Sequence, residues 1–190
     1  MLNLRRCVVG LVAVLLVGAA GCSSPPQTET PAEVASTPTS LETGTFVINP
    51  QFDGARSFSE GLAAVRIGDD ETGKWGFIDK TGSFVINPQF EDASYFSDGL
   101  AGVFIGDRET GKWGFIDKTG AFVINPQFAS ASSFSEGLAP VFIGDYETGK
   151  AGFIDNTGSV VINPQFDYAA SFSEGLAAVR IGDKFGFIAR

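Results

Sequence analysis

The chain has 190 residues, no His, two Cys and a formal net charge of −9. Without His, imidazole-based triads and His-rich zinc sites are excluded. The acidity argues against nucleic acid and against broad contact with anionic head groups, because both need a basic surface.

The first residues read as an export signal. Arg5 and Arg6 form a short positive region, and Val8 to Val17 is an apolar run interrupted only by Gly10. Such a run is shorter than the ~18–20 residues that span a bilayer, so residues 1–21 read as a signal peptide. Gly18-Ala19-Ala20-Gly21 leads into Cys22 and resembles a bacterial lipobox, with Ala19 where Leu is usual. The resemblance implies that Cys22 is acylated, with palmitate-type chains, and becomes the mature N-terminus. An ordinary secretory signal cut near Ala20 is the alternative. Residues 22–43 carry Pro25, Pro26, Pro31 and Pro38 among many Ser and Thr. A stretch with so little apolar surface cannot fold alone and reads as a disordered, semi-extended tether. Ser23 is not the Asp that retains lipoproteins at the inner membrane of enteric bacteria, which points to the outer membrane if the cell has one. Loss of Arg5 and Arg6 would leave 11 basic against 22 acidic residues, a net charge of −11. Neither Cys remains for a disulfide in the mature domain, so its stability must come from packing.

Residues 44–190 are repetitive. Ile-Asn-Pro-Gln-Phe recurs every 38 residues, from Ile48, Ile86, Ile124 and Ile162. Phe-Ser-Glu/Asp-Gly-Leu-Ala begins at Phe58, Phe96, Phe134 and Phe172, and Gly-Phe-Ile begins at Gly76, Gly114, Gly152 and Gly186. Fixed-period similarity means one small unit copied in tandem, each copy resting on its neighbours. The first unit reads as three strands: Leu62–Ile67 with alternating character, Lys74–Asp79, and Ser83–Asn87. Asp79-Lys80-Thr81-Gly82 has the chemistry of a bulged hairpin turn, and Glu71-Thr72-Gly73 links the preceding pair. Pro88 lacks an amide hydrogen, so Asn-Pro is expected to end the third strand. Phe90, Ala93 and Phe96 then have a spacing that suits a turn or one or two 3₁₀ turns over the core. The last unit has a loop four residues shorter, Gly182 to Gly186, which an exposed loop tolerates.

Lys74-Trp75-Gly76-Phe77-Ile78-Asp79, followed by Phe84 to Phe90 and by Phe96-Ser97-Asp98-Gly99-Leu100-Ala101, resembles the bacterial WG (KWG) β-repeat. The likeness runs from Thr45 to Arg190. Ala151 and Phe185 replace the naming Trp in two copies. The resemblance implies a repeat scaffold without assigned chemistry. The expected fold is therefore all-β, with four three-stranded antiparallel units in an open array. The alternative is a closed, propeller-like toroid, because the chain begins with a third strand (Thr45–Asn49) and ends with a second. Variable copy number in the family and the short unit favour the open form.

Little in the chain points to catalysis. Asp79, Asp117 and Asp155 recur at turns, as a fold residue would, so no catalytic residue, enzyme activity or cofactor is assigned. The loops Asp69-Asp70-Glu71, Asp107-Arg108-Glu109 and Asp145-Tyr146-Glu147 offer too few carboxylates to predict calcium, so no metal is assigned. Aromatics are more informative. Most of the 18 Phe recur in phase and read as core. Residues that break the repeat are better candidates for function. Tyr95 replaces Ser, while Tyr146 and Tyr168 replace small or charged residues. Phe104 and Phe142 alternate with Arg66 and Arg180 in a column that must be partly exposed. With Trp75 and Trp113, these nine residues form the candidate partner-binding set. The expectation is a lipid-anchored extracytoplasmic scaffold for protein–protein interaction at the cell envelope, with glycan or peptidoglycan binding as the alternative. Convergence of the aromatics in one groove favours sugar, and a mixed face favours protein.

Overall fold

A computed structural model describes residues 43–145 and 148–190. The signal segment, Cys22 and the tether as far as residue 42 lie outside the described residues, as does Tyr146. Every described strand belongs to a compact unit spanning Gly44–Arg190.

Among the described residues, fifteen strands make four antiparallel sheets. The first contains β1 (Gly54–Ala55), β2 (Ala63–Ile67), β3 (Lys74–Ile78) and β4 (Phe84–Phe90), in that order. The second repeats it with β5 (Asp92–Ala93), β6 (Ala101–Ile105), β7 (Lys112–Ile116) and β8 (Phe122–Phe128). The third has β9 (Ser130–Ala131), β10 (Leu138–Ile143), β11 (Lys150–Asp155) and β12 (Val160–Phe166). The last has only β13 (Tyr168–Ala169), β14 (Leu176–Ile181) and β15 (Lys184–Ala189). The described residues are all-β, and the sheets form an open array.

Each hairpin has a local cause. The Asp79 carboxylate accepts hydrogen bonds from the Thr81 hydroxyl (2.6 Å), the Thr81 amide (2.8 Å) and the Ser83 amide (3.1 Å). Gly82 takes the positive φ of 87° that closes the turn. Asp117 and Asp155 repeat the arrangement. The Thr81 hydroxyl is the main reason the Asp79 carboxyl is held below its ordinary range, and its amide bonds add to the effect.

Two expectations are corrected. Asn-Pro does not end the third expected strand. Trp75 pairs with Phe90 and Phe77 with Ile86, so Asn87-Pro88-Gln89 bulges opposite Gly76. A residue inside a bulge needs no ladder amide, and the strand resumes beyond it. Nor is there a 3₁₀ turn between Pro88 and Gly99. Asp92–Ala93 forms a short fourth strand against Phe104 and Val103, and Ser97 to Leu100 closes a two-residue hairpin. Asp98 (φ 52°) and Gly99 (φ 82°) both take positive φ there, the geometry of a type I′ turn. Phe90, Ala93 and Phe96 are nonetheless all buried, as their spacing requires.

The core lies between sheets. Leu62, Phe77, Ile86 and Phe90 of the first sheet pack on Ala93, Phe96, Ala101, Val103 and Ile116 of the second unit. Equivalent residues fill the next two gaps. Phe77 meets Phe96 edge-on at 4.9 Å, Phe115 meets Phe134 at 4.9 Å, and Phe153 meets Phe172 at 5.0 Å. The ends differ. Thr45–Asn49 is not in a strand, although Ile48 and Phe52 pack over Ala63, Val65 and Ile78. Phe58, expected in the core with its column, is 43% exposed, and among the described residues no unit precedes it.

Candidate partner-binding groove

Most of the candidate set lies in the equivalent cross-strand row of each sheet. Gly54 pairs with Arg66, and Arg66 with Trp75. Asp92 pairs with Phe104, and Phe104 with Trp113. The third sheet continues with Ser130, Phe142 and Ala151, and the last with Tyr168, Arg180 and Phe185. Directly opposed residues point to the same face of a sheet, so each row presents its variable side chains together. Arg66, Phe104, Phe142 and Arg180 are all half-buried, as a column shared by Arg and Phe requires.

The first two rows open into a groove of about 760 Å³ between the first and second sheets. Arg66, Trp75, Phe104 and Trp113 line it. Sequence reasoning missed Arg56, Lys74, Glu91, Asp92 and Arg108, which line it too. Arg56 and Asp92 carried a signal. They break the repeat, standing where other copies have Ser94 and Ser132, or Gly54 and Ser130, and they bridge the two units at 2.6 Å. Lys74 pairs with Glu91 at 2.7 Å, and Arg66 pairs with the exposed Asp70.

Both indole rings are already engaged. The Arg56 guanidinium lies 4.7 Å from the Trp75 ring centre and the Arg66 guanidinium 5.8 Å. Trp113 packs on Phe104 at 5.6 Å. The Nε of Arg66 and one carboxylate oxygen of Glu91 are buried without a hydrogen-bond partner within the protein. Unpaired polar atoms of this kind are costly.

The other candidates lie elsewhere. Tyr95 is half-exposed beyond β5 and outside the row. Phe142 packs against the third core cluster over Ala151, where no Trp stands. Tyr168 and Arg180 are on the last sheet, with Tyr168 edge-on to Phe185 at 6.0 Å. The aromatics therefore converge in part. Trp75 and Trp113 share a groove, and Tyr95 and Tyr168 do not reach it.

The acidic loops are internally satisfied. Asp69 accepts from the amides of Glu71 and Thr72 and from the Thr72 hydroxyl. The Thr72 amide is the chief reason its carboxyl sits below the ordinary value. Asp107 uses Thr110 in the same way. Among the described residues no group of three or more metal-ligating side chains could hold an ion.

A second recurring feature was also missed. Glu60, Asp98 and Glu136 each occupy a positive-φ turn position and accept a hydrogen bond from Gly99, Gly137 and Gly175 of the next unit. Lys118 adds an ion pair to Glu60 at 3.1 Å. Desolvation pushes the Glu60 carboxyl up, but the Lys118 and Gly99 hydrogen bonds outweigh it and leave the group below its ordinary value. The acidic residue in the first three Ser-Glu/Asp-Gly phrases is thus a clasp between units.

Comparison with curated proteins and with solved structures found no match. The family model for the WG containing repeat matches residues 42–69, 75–108, 113–146 and 152–185. These segments cover more than half of the chain, which therefore belongs to the family of proteins containing the WG repeat.

Proposed function

We propose that this β-repeat protein is a lipid-anchored, extracytoplasmic scaffold at the cell envelope, binding a protein partner in the groove between its first two sheets. The observation that carries the choice of partner is the state of the two Trp rings. A sugar-stacking platform needs a free indole face, whereas Trp75 lies under two guanidinium groups and Trp113 against Phe104. What remains is a half-open surface with four basic and five acidic side chains around an aromatic floor. Aromatic and Arg groups within a polar rim suit a protein surface. The role is binding, without catalysis.

The test is affinity capture from envelope extract with the wild-type chain and with an Arg66→Glu/Trp113→Ala variant. The expected result is one or more proteins retained by the wild type and lost with the variant, at an unchanged circular dichroism spectrum. Retention by both, or pelleting of the wild type with purified peptidoglycan that the variant does not show, would overturn the reading.

The anchor has its own test. Cys22→Ala is expected to move the protein from the membrane to the soluble fraction and to remove the acyl mass from its N-terminus. A multiply acylated Cys anchors stably, whereas one chain binds only marginally. Unchanged fractionation and mass would refute lipidation.

A further inference from the structure

The two ends of the array are unfinished in complementary ways. Among the described residues the last sheet has three strands, and the edge of β15 is without a counterpart to β4, β8 and β12 of the other sheets. Its Phe187 is 74% exposed, whereas the equivalent Phe77, Phe115 and Phe153 are fully buried. Leu176 is 49% exposed, against 8%, 7% and 4% for Leu62, Leu100 and Leu138. A Cβ added to Gly186 meets open space, whereas at Gly76, Gly114 and Gly152 it would strike the bulge of the neighbouring strand.

At the other end, Phe46 to Phe52 repeats the sequence of β4 and β8 and belongs to no sheet among the described residues. It is nonetheless seated as those strands are. Ile48 touches Gly82 as Ile86 touches Gly120, and Phe52 meets Phe84 edge-on (6.0 Å) as Phe90 meets Phe122 (6.4 Å). An apolar hollow of about 270 Å³ remains there, lined by Ile48, Phe52, Phe58, Ala63, Val65 and Ile78. In the inner joints the matching space is filled by the preceding unit's Leu62 and Phe77 or their equivalents. Those are the residues that the far end exposes as Leu176 and Phe187.

We propose that copies of this chain join head to tail, the last sheet of one copy taking Phe46–Phe52 of the next as its missing fourth strand. The joint continues the internal stacking. Phe187 of one copy becomes the edge-on partner of Phe58 in the next, as Phe77 is of Phe96. The polar clasp extends too. Glu174, in the positive-φ position of the last turn, reaches the Gly61 amide and Lys80 of the next copy, as Glu60 reaches Gly99 and Lys118. The register of β3 with β4 places Ile188 opposite Phe46, as Ile78 stands opposite Phe84. The main-chain ladder supplies affinity by strand addition, and the uncovered apolar face supplies specificity. Because donor and acceptor surfaces differ, each addition leaves a fresh end, so assembly is open-ended.

The unit Gly44–Arg190 contains all the described strands and core clusters and no Cys, so it serves for the test. Sedimentation velocity over rising concentration is expected to give a mean mass that climbs past the dimer, and Phe187→Asp to hold it at the monomer. Phe187 is exposed in the single copy, so at dilute protein this variant is expected to keep the wild-type unfolding midpoint. A Phe46→Cys chain mixed with an Ile188→Cys chain is expected to oxidise to the mixed dimer in preference to either homodimer. A wild type that stays monomeric, oligomers that survive Phe187→Asp, or homodimers in place of the mixed dimer would each overturn the proposal. So would an internal disulfide within a single chain carrying both substitutions, which would mean that the ends close on each other.

Discussion

Phe115→Ala is expected to destabilise the domain by about 3–5 kcal/mol, the usual cost of deleting a buried aromatic ring. Phe115 is fully buried between the second and third sheets, where it packs edge-on to Phe134 and belongs to the cluster of Ile124, Phe128, Val141 and Ile154. Its removal takes apolar surface from both sheets at once, and the rigid strands cannot collapse into the void. The matched control is Phe187→Ala, in the same column of the repeat but 74% exposed. At dilute protein it should change stability by no more than about 0.5 kcal/mol. Urea unfolding of both variants checks the pair. Equal effects would mean that the buried and open ends have been misassigned. A domain stable by about 5–15 kcal/mol would lose a large part of its margin in the first case.

Gly114→Ala is the second large effect, at about 3 kcal/mol, by a different mechanism. A Cβ there would lie 2.7 Å from the Ile124 carbonyl oxygen, 2.7 Å from the Pro126 nitrogen and 3.0 Å from the Asn125 carbonyl carbon. All three are main-chain atoms of the Ile-Asn-Pro bulge, so relief requires the bulge itself to move. The bulge in turn carries Phe128 into the core. Gly186→Ala is the control, because nothing lies within 4 Å of its added Cβ. There, at dilute protein, the substitution should be neutral or slightly stabilising, since Ala has less freedom to lose on folding. Thermal unfolding midpoints of the two variants separate the cases. A similar loss at both positions would show that Gly is needed for its backbone freedom and not for the close approach.

These pairs show what repetition hides. Gly114 and Gly186 look equivalent in sequence, as do Phe115 and Phe187, yet one of each lies inside a joint and the other at an open end. Of the residues singled out for departing from the repeat, Trp75, Trp113, Arg66 and Phe104 share a groove. Applied to every column, the same criterion would also have found Arg56 and Asp92. Tyr95 and Tyr168 lie outside that groove, because divergence marks exposure without saying which surface is exposed.

The amino-acid sequence by itself determined the all-β class, the 38-residue unit, the hairpin at each Asp-x-Thr-Gly and the burial of Phe90, Phe96, Phe128, Phe134, Phe166 and Phe172. These depend on local turn chemistry and on alternation, which act over a few residues. Tertiary structure alone decided that Asn-Pro passes through a bulge, that Asp92–Ala93 forms a fourth strand, and that the acidic turn residue clasps the following unit. Each of these depends on what stands opposite a residue in another strand or sheet, and periodicity along the chain does not encode that partner. The same holds for the two ends, where identical phrases meet different surroundings because stacking stops.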